Sequence, residues 1–168
     1  LWKMMRKKQS MRKKQKANYP ESARGAAALL VRMVLEDGAY TNIALNQYLR
    51  GSRLSDLDRR LATELVYGTV KASGTLDWYL AQCVSRPLDK VAGDILAILR
   101  ISTYQLLYMT RIPASAAVNE AVKLARSVSH EGSAKFVNGV LRGLLRKQEA
   151  GAFVLPDAEK QDADYLSL

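Results

Sequence analysis

The sequence predicts an all-α fold, a bundle of about seven helices in two packed subdomains. Three observations point to it. Apolar residues recur three and four apart along most of the chain, the spacing of one helix face. Nothing alternates with period two over a useful length, so no sheet is expected. Aromatic residues make up only 7% of the chain, while alanine and leucine abound.

Residues 1–21 are expected to form a disordered basic arm. Residues 1–16 hold eight Lys or Arg and no acid, so they carry +8 of the formal net charge of +10. Mutual repulsion and a lack of apolar spacing leave this stretch nothing to bury. The first helix is predicted over about 22–36, with Ala27, Leu30, Val31, Val34 and Leu35 inward and Asp37-Gly38 ending it. A short helix at about 42–50 carries Ile43, Leu45 and Leu49 and stops at Gly51. Ser55 caps a long helix over about 56–72, with Asp58 as the acidic partner of a variant capping box and Leu57, Leu61, Leu65 and Val66 as its buried stripe. Gly74 breaks the chain, and a helix containing Trp78 and Tyr79 runs from Thr75 or Leu76 to about Val84. Pro87 suits a first helical position.

Residues 94–109 are apolar nearly all round, which marks a central buried helix. Pro113 precedes a helix at about 115–128, and His130-Glu131-Gly132 leads into the last, at about 133–147. That last helix has two chemistries. Phe136, Val137, Val140, Leu141, Leu144 and Leu145 make an apolar stripe, while Asn138, Arg142 and Arg146 make a polar one. Gly139 and Gly143 lie four apart. Each costs about 1 kcal/mol against Ala in an exposed helix, so close packing of another backbone is the expected reason for them. Residues 149–168 are a mixed, polar tail.

No apolar run approaches the ~20 residues of a membrane span, and residues 1–16 lack the apolar core of a secretory signal. The chain opens on Leu1, with Met4, Met5 and Met11 as alternative starts, so part of the arm is either native or an extension. One cysteine excludes an internal disulfide, and one Cys with one His falls short of a structural zinc site.

Two adjacent segments, Val118-Asn119-Glu120-Ala121-Val122-Lys123-Leu124-Ala125 and Lys135-Phe136-Val137-Asn138-Gly139-Val140-Leu141-Arg142, resemble the C-terminal signature of the NusB family. Leu61-Ala62-Thr63-Glu64-Leu65-Val66-Tyr67-Gly68 and Asp77-Trp78-Tyr79-Leu80 are similar to earlier family segments, so the likeness covers residues 22–148. It implies a NusB-like RNA-binding helical domain. The family has two branches. One is a free-standing transcription antitermination factor that binds RNA with a ribosomal protein as partner. The other is the N-terminal domain of the RsmB/Sun (Fmu) small-subunit rRNA cytosine-C5 methyltransferases. Leu65-Val66-Tyr67-Gly68-Thr69-Val70 is similar to the second branch, and Arg142 stands where the first commonly has an acid. On this resemblance the chain is a cytoplasmic rRNA-recruiting fragment, cut in the linker before a methyltransferase domain. S-adenosylmethionine would serve that missing domain, and the partners would be rRNA, the catalytic domain and a ribosomal protein; the alternative is a stand-alone antitermination RNA-binding protein.

No catalytic residue, metal ligand or cofactor motif is expected in the fragment itself. Cys83 lacks the Pro-Cys setting of the family's nucleophile and suits a core position. His130 suits a helix junction. What remains is cations for phosphates, which confer affinity without sequence information. Lys7, Lys8, Arg12, Lys13, Lys14 and Lys16 are candidates in the arm, and Arg24 stands where the arm meets the body. Lys123, Arg126, Lys135, Arg142 and Arg146 form either a composite basic face or an ordinary solvated one, and Arg59 and Arg60 pose the same choice. Asn138 either contacts RNA or bonds a neighbouring backbone across the Gly139/Gly143 line. Tyr40 and Tyr48 are the stacking candidates, and both equally suit the core.

Overall fold

A computed structural model describes residues 1–7 and 18–153. Among them the chain is all-helical: α1 (Ala23–Asp37), α2 (Thr41–Arg50), α3 (Asp56–Lys71), α4 (Ser73–Ala81), a 3-10 turn (Leu88–Lys90), α5 (Gly93–Tyr108), α6 (Ala114–Val128) and α7 (Glu131–Ala150). Ser55 and Gly38 cap where the sequence announces them, and Ser22 and Gly151 are caps it did not mark. Ser22 Oγ accepts from the Gly25 N–H at 3.0 Å, and Ser55 Oγ accepts from the Asp58 N–H at 3.2 Å. Gly38 and Gly151 end α1 and α7 with φ of 71° and 61°, the left-handed conformation that glycine adopts without a Cβ penalty.

Helix α5 is the axis of the fold. Ile95, Leu96, Ala97, Ile98, Leu99 and Ile101 are all buried. Helices α1 and α6 pack against it, α3 packs on α1, and α7 packs on α6. One continuous core joins Leu30 and Val31 of α1, Leu65 of α3, Leu80 of α4, Leu124 of α6 and Leu141 and Leu144 of α7 to the α5 residues. The two halves therefore share their hydrophobic interior. Arg100 clamps α4 to α5 in a two-pronged ion pair with Asp77, Nε to Oδ1 at 2.8 Å and Nη2 to Oδ2 at 2.9 Å.

Several expectations need correction. The break after α3 falls at Ala72, whose N–H still reaches Gly68, and Gly74 lies inside the first turn of α4. Leu57, the second residue of α3, is 76% exposed and stands outside the buried stripe. The arm is not featureless: residues 2–7 are helical, with the Arg6 guanidinium 4.1 Å from the centre of the Trp2 ring. Nor does it extend to residue 21. Tyr19 is buried, and its hydroxyl donates to Asp94 at the start of α5, which also pairs with Arg32. The packed body likewise runs past residue 148. Phe153 meets Tyr79 edge to face at 4.8 Å, and Tyr79 meets Trp78 the same way at 4.8 Å.

Burial, then the hydrogen bond to Asp94 and its charge, push the Tyr19 phenol well above its ordinary range. An unfolded chain releases this proton near pH 10, before the folded one does. The contribution is thus fully present below about pH 10 and lost as pH rises toward the folded value. Urea unfolding of wild type and Tyr19→Phe between pH 9 and about 11 should show a steeper alkaline decline for wild type. Parallel declines would mean that Tyr19 does not couple to folding.

Candidate nucleic-acid interface

The structure sorts the predicted cations by what already holds them. Lys8, Arg12, Lys13, Lys14 and Lys16 lie outside the described residues, and Lys7 is exposed. Arg24 is half-buried, and its Nε donates at 2.9 Å to Oε1 of Gln105, a side chain that is itself buried in α5. Arg24 anchors α1 on α5. Arg59 ties α3 to the end of α2, with Nη1 donating to the Leu49 carbonyl at 2.8 Å and to Ser52 Oγ at 3.4 Å. Arg60 is exposed and makes no hydrogen bond or ion pair with another described residue.

Helices α6 and α7 carry the rest. Lys123 lies 3.6 Å from Glu120, and Arg126 lies 2.6 Å from Glu131 across the α6–α7 junction. Hydrogen bonding from Arg126 holds the Glu131 carboxyl below the usual carboxylate range, and the charge of Lys135 adds to this. Both cations of α6 thus have a carboxylate beside them. His130 caps α7, its Nδ1 accepting from the Ser133 N–H at 3.3 Å, as its junction position suggested. Lys135, Arg142 and Arg146 are all exposed on α7. With Gly139 they stand at i, i+4, i+7 and i+11, a single line along the helix of about 16 Å.

Asn138 Oδ1 accepts from Arg142 Nε at 2.9 Å, one turn along the same helix. It does not reach a neighbouring backbone, and it fixes the Arg142 guanidinium. The close contact expected at the glycines is absent too. A Cβ on Gly139 would meet nothing within 4 Å, and one on Gly143 only Arg146 Nη2 at 3.8 Å. The two glycines instead leave the α7 backbone bare between its cations. Sequence reasoning missed one cation that meets α7. Arg86, in the loop after α4, places its guanidinium 4.8 Å from the centre of the Phe136 ring. No local pattern marks Arg86, since its ring partner is 50 residues away.

Cys83 is half-buried, and burial pushes its thiol above the ordinary value, against the pull of Lys147. That favours the unreactive, protonated form. Among the described residues no three His, Cys, Asp or Glu gather as a metal site, and no helix is long and apolar enough to cross a membrane.

An all-helical bundle around a buried α5 is the architecture of the NusB class. The chain belongs to the NusB family, whose match spans residues 21–146. It is 42% identical over 139 residues to the probable ribosomal RNA small subunit methyltransferase B of Synechocystis sp., covering 83% of this chain and 31% of that protein. It is also 42% identical over 112 residues to the protein of the same name from Bacillus subtilis, covering 67% of this chain and 25% of the relative. The chain thus spans about a third or less of the length of these relatives. Among solved structures, the antitermination factors NusB and NusE in complex with dsRNA match with a TM-score of 0.68 at 20% identity, over 75% of this chain and 95% of that one. NusB of T. maritima matches with a TM-score of 0.68 at 21% identity, over 74% and 89%. At that identity the likeness establishes the fold.

Proposed function

We propose that this chain is the RNA-binding domain of a longer small-subunit rRNA cytosine-C5 methyltransferase, and that it holds rRNA for a catalytic domain elsewhere in that protein. The observation that carries this reading is the 42% identity to rRNA methyltransferases of which the chain matches about a third. The identity to NusB structures is half as great. In this reading residues 19–153 are the packed recruiting domain and residues 154–168 lead toward the methyltransferase portion. S-adenosylmethionine serves that portion, the target base is turned out of its helix there, and the protein works in the cytoplasm.

The α7 line supplies the chemistry that recruitment needs. Lys135, Arg142 and Arg146 offer phosphates three charges, none of them taken by a carboxylate at ion-pair distance among the described residues. Arg86 over Phe136 sets a further exposed cation against α7. Such contacts confer affinity and register, and base identity is read elsewhere.

Fluorescence anisotropy tests the reading: the purified chain is titrated into a small-subunit rRNA hairpin and an unrelated hairpin of equal length, at two salt concentrations. Preference for the rRNA hairpin is the expected result. Equal, strongly salt-dependent binding to both would reduce the domain to an electrostatic tether. Binding that appears only when a ribosomal protein is added would favour the antitermination branch instead.

A further inference from the structure

A second surface, on α3 and α5, has no place in the reading above. Glu64 of α3 and Arg111, just beyond α5, pair at 2.6 Å and join the two helices at the rim. Glu64 lines a shallow, open depression of about 370 Å³ with Arg59, Arg60, Thr63 and Tyr67. Beside it Tyr104 lies across α3 where Gly68 has no side chain; a Cβ there would run into the tyrosine ring. Tyr108 stacks on Tyr104 with ring centres 5.3 Å apart and planes tilted by 31°. Burial, and then the charge of Glu64, push the Tyr104 phenol above its ordinary value, so the carboxylate faces that ring as well. Tyr67 is 45% exposed and Tyr108 51%.

We infer that Tyr67 and Tyr108 form a stacking platform for unpaired bases of single-stranded RNA, with Arg60 taking an adjoining phosphate. Tyrosine rings left half in solvent, on two helices fixed against each other, present flat faces that any base can cover. Arg111 neutralises Glu64, the one anion on the depression, and Arg60 remains unpaired among the described residues. Tyr67 and Arg60 line the same depression, so a ring face and a guanidinium stand side by side, the pair that a stacked base and its phosphate use. A duplex would keep its base faces stacked on one another, and only unpaired nucleotides can use the rings.

This inference rests on the RNA-binding reading, and the test separates the two. The full chain is titrated into a labelled single strand of about 12 nucleotides, into the same strand with abasic sites, and into a paired duplex. Wild type should bind the intact strand more tightly than the abasic one. Replacing both rings (Y67A/Y108A) should weaken the intact strand at least about fivefold per ring and erase its advantage over the abasic strand. The Y67F/Y108F variant keeps both rings and should behave as wild type. If wild type binds RNA but Y67A/Y108A binds it equally well, the platform is wrong and the RNA reading stands. If wild type binds no RNA at all, both fall. A second measurement does not depend on the variants folding. Photocrosslinking of wild type to a strand carrying 5-iodouridine should place adducts on Tyr67 or Tyr108. Adducts found only elsewhere would overturn the inference.

Discussion

Reversing the charges of Lys135, Arg142 and Arg146 together (K135E/R142E/R146E) is expected to weaken rRNA binding by roughly a hundredfold or more and to flatten the salt dependence by about two units of log K per log salt. Each cation that meets a single-strand phosphate contributes ~0.7 to that slope, and reversal adds repulsion to the lost contact. The fold should tolerate the change. All three side chains are exposed, and the one hydrogen bond lost is that of Arg142 to Asn138. The informative control is K123E/R126E on α6. Those two cations already sit beside Glu120 and Glu131, so their net charge toward RNA is largely cancelled. A much smaller loss is expected there. Losses in log K that stand as three to two in anisotropy titrations, the ratio of charges reversed, would mean that binding follows total charge and that the α7 line has no special role.

The contrast between those variants shows what was legible in the sequence. The apolar spacing of α1, α5 and α7 announced the helices, because burial of a helix face is a local, periodic demand. Ser55, Gly38 and the junction at His130 were legible for the same reason, since a cap is settled within four residues. The fate of each cation was not. Arg24 is taken by Gln105, 81 positions away, and Arg59 by the end of α2. Arg86 finds Phe136 through the packing of α7 beside the loop after α4. Only the assembled fold tells a spent arginine from an available one. Tyr67 and Tyr108 were hidden differently. Both fall in stretches whose neighbours are core, and Tyr108 sits at the last turn of a helix that is otherwise interior. Tyr67 lies outside the stripe read for α3 and Tyr108 inside a segment read as buried all round, and the structure leaves both at the rim.

Glycines in helices illustrate the same limit and yield a test in which one substitution takes opposite signs. Gly139→Ala should stabilise the chain by up to about 1 kcal/mol, because alanine is the better helix former and the new methyl meets nothing within 4 Å. Gly25→Ala makes the same gain in propensity and should nevertheless destabilise by about 1–3 kcal/mol, the usual cost of forcing atoms into a packed interior. Its methyl would strike the Pro20 carbonyl, which is backbone and cannot swing aside, and would press on Ser22 Oγ, the α1 cap. Relief requires moving the segment from Tyr19 to Ser22, and with it the Tyr19 hydroxyl on Asp94 and the root of the basic arm. The sequence shows a glycine in a helix at both places. At Gly25 it is there because a backbone crosses it, and at Gly139 it leaves an open stretch between cations. Urea unfolding of the two variants decides the matter. A destabilised Gly139→Ala would restore a packing role for the α7 glycines. An unharmed Gly25→Ala would mean that the Tyr19–Pro20 segment is not seated on α1 as described.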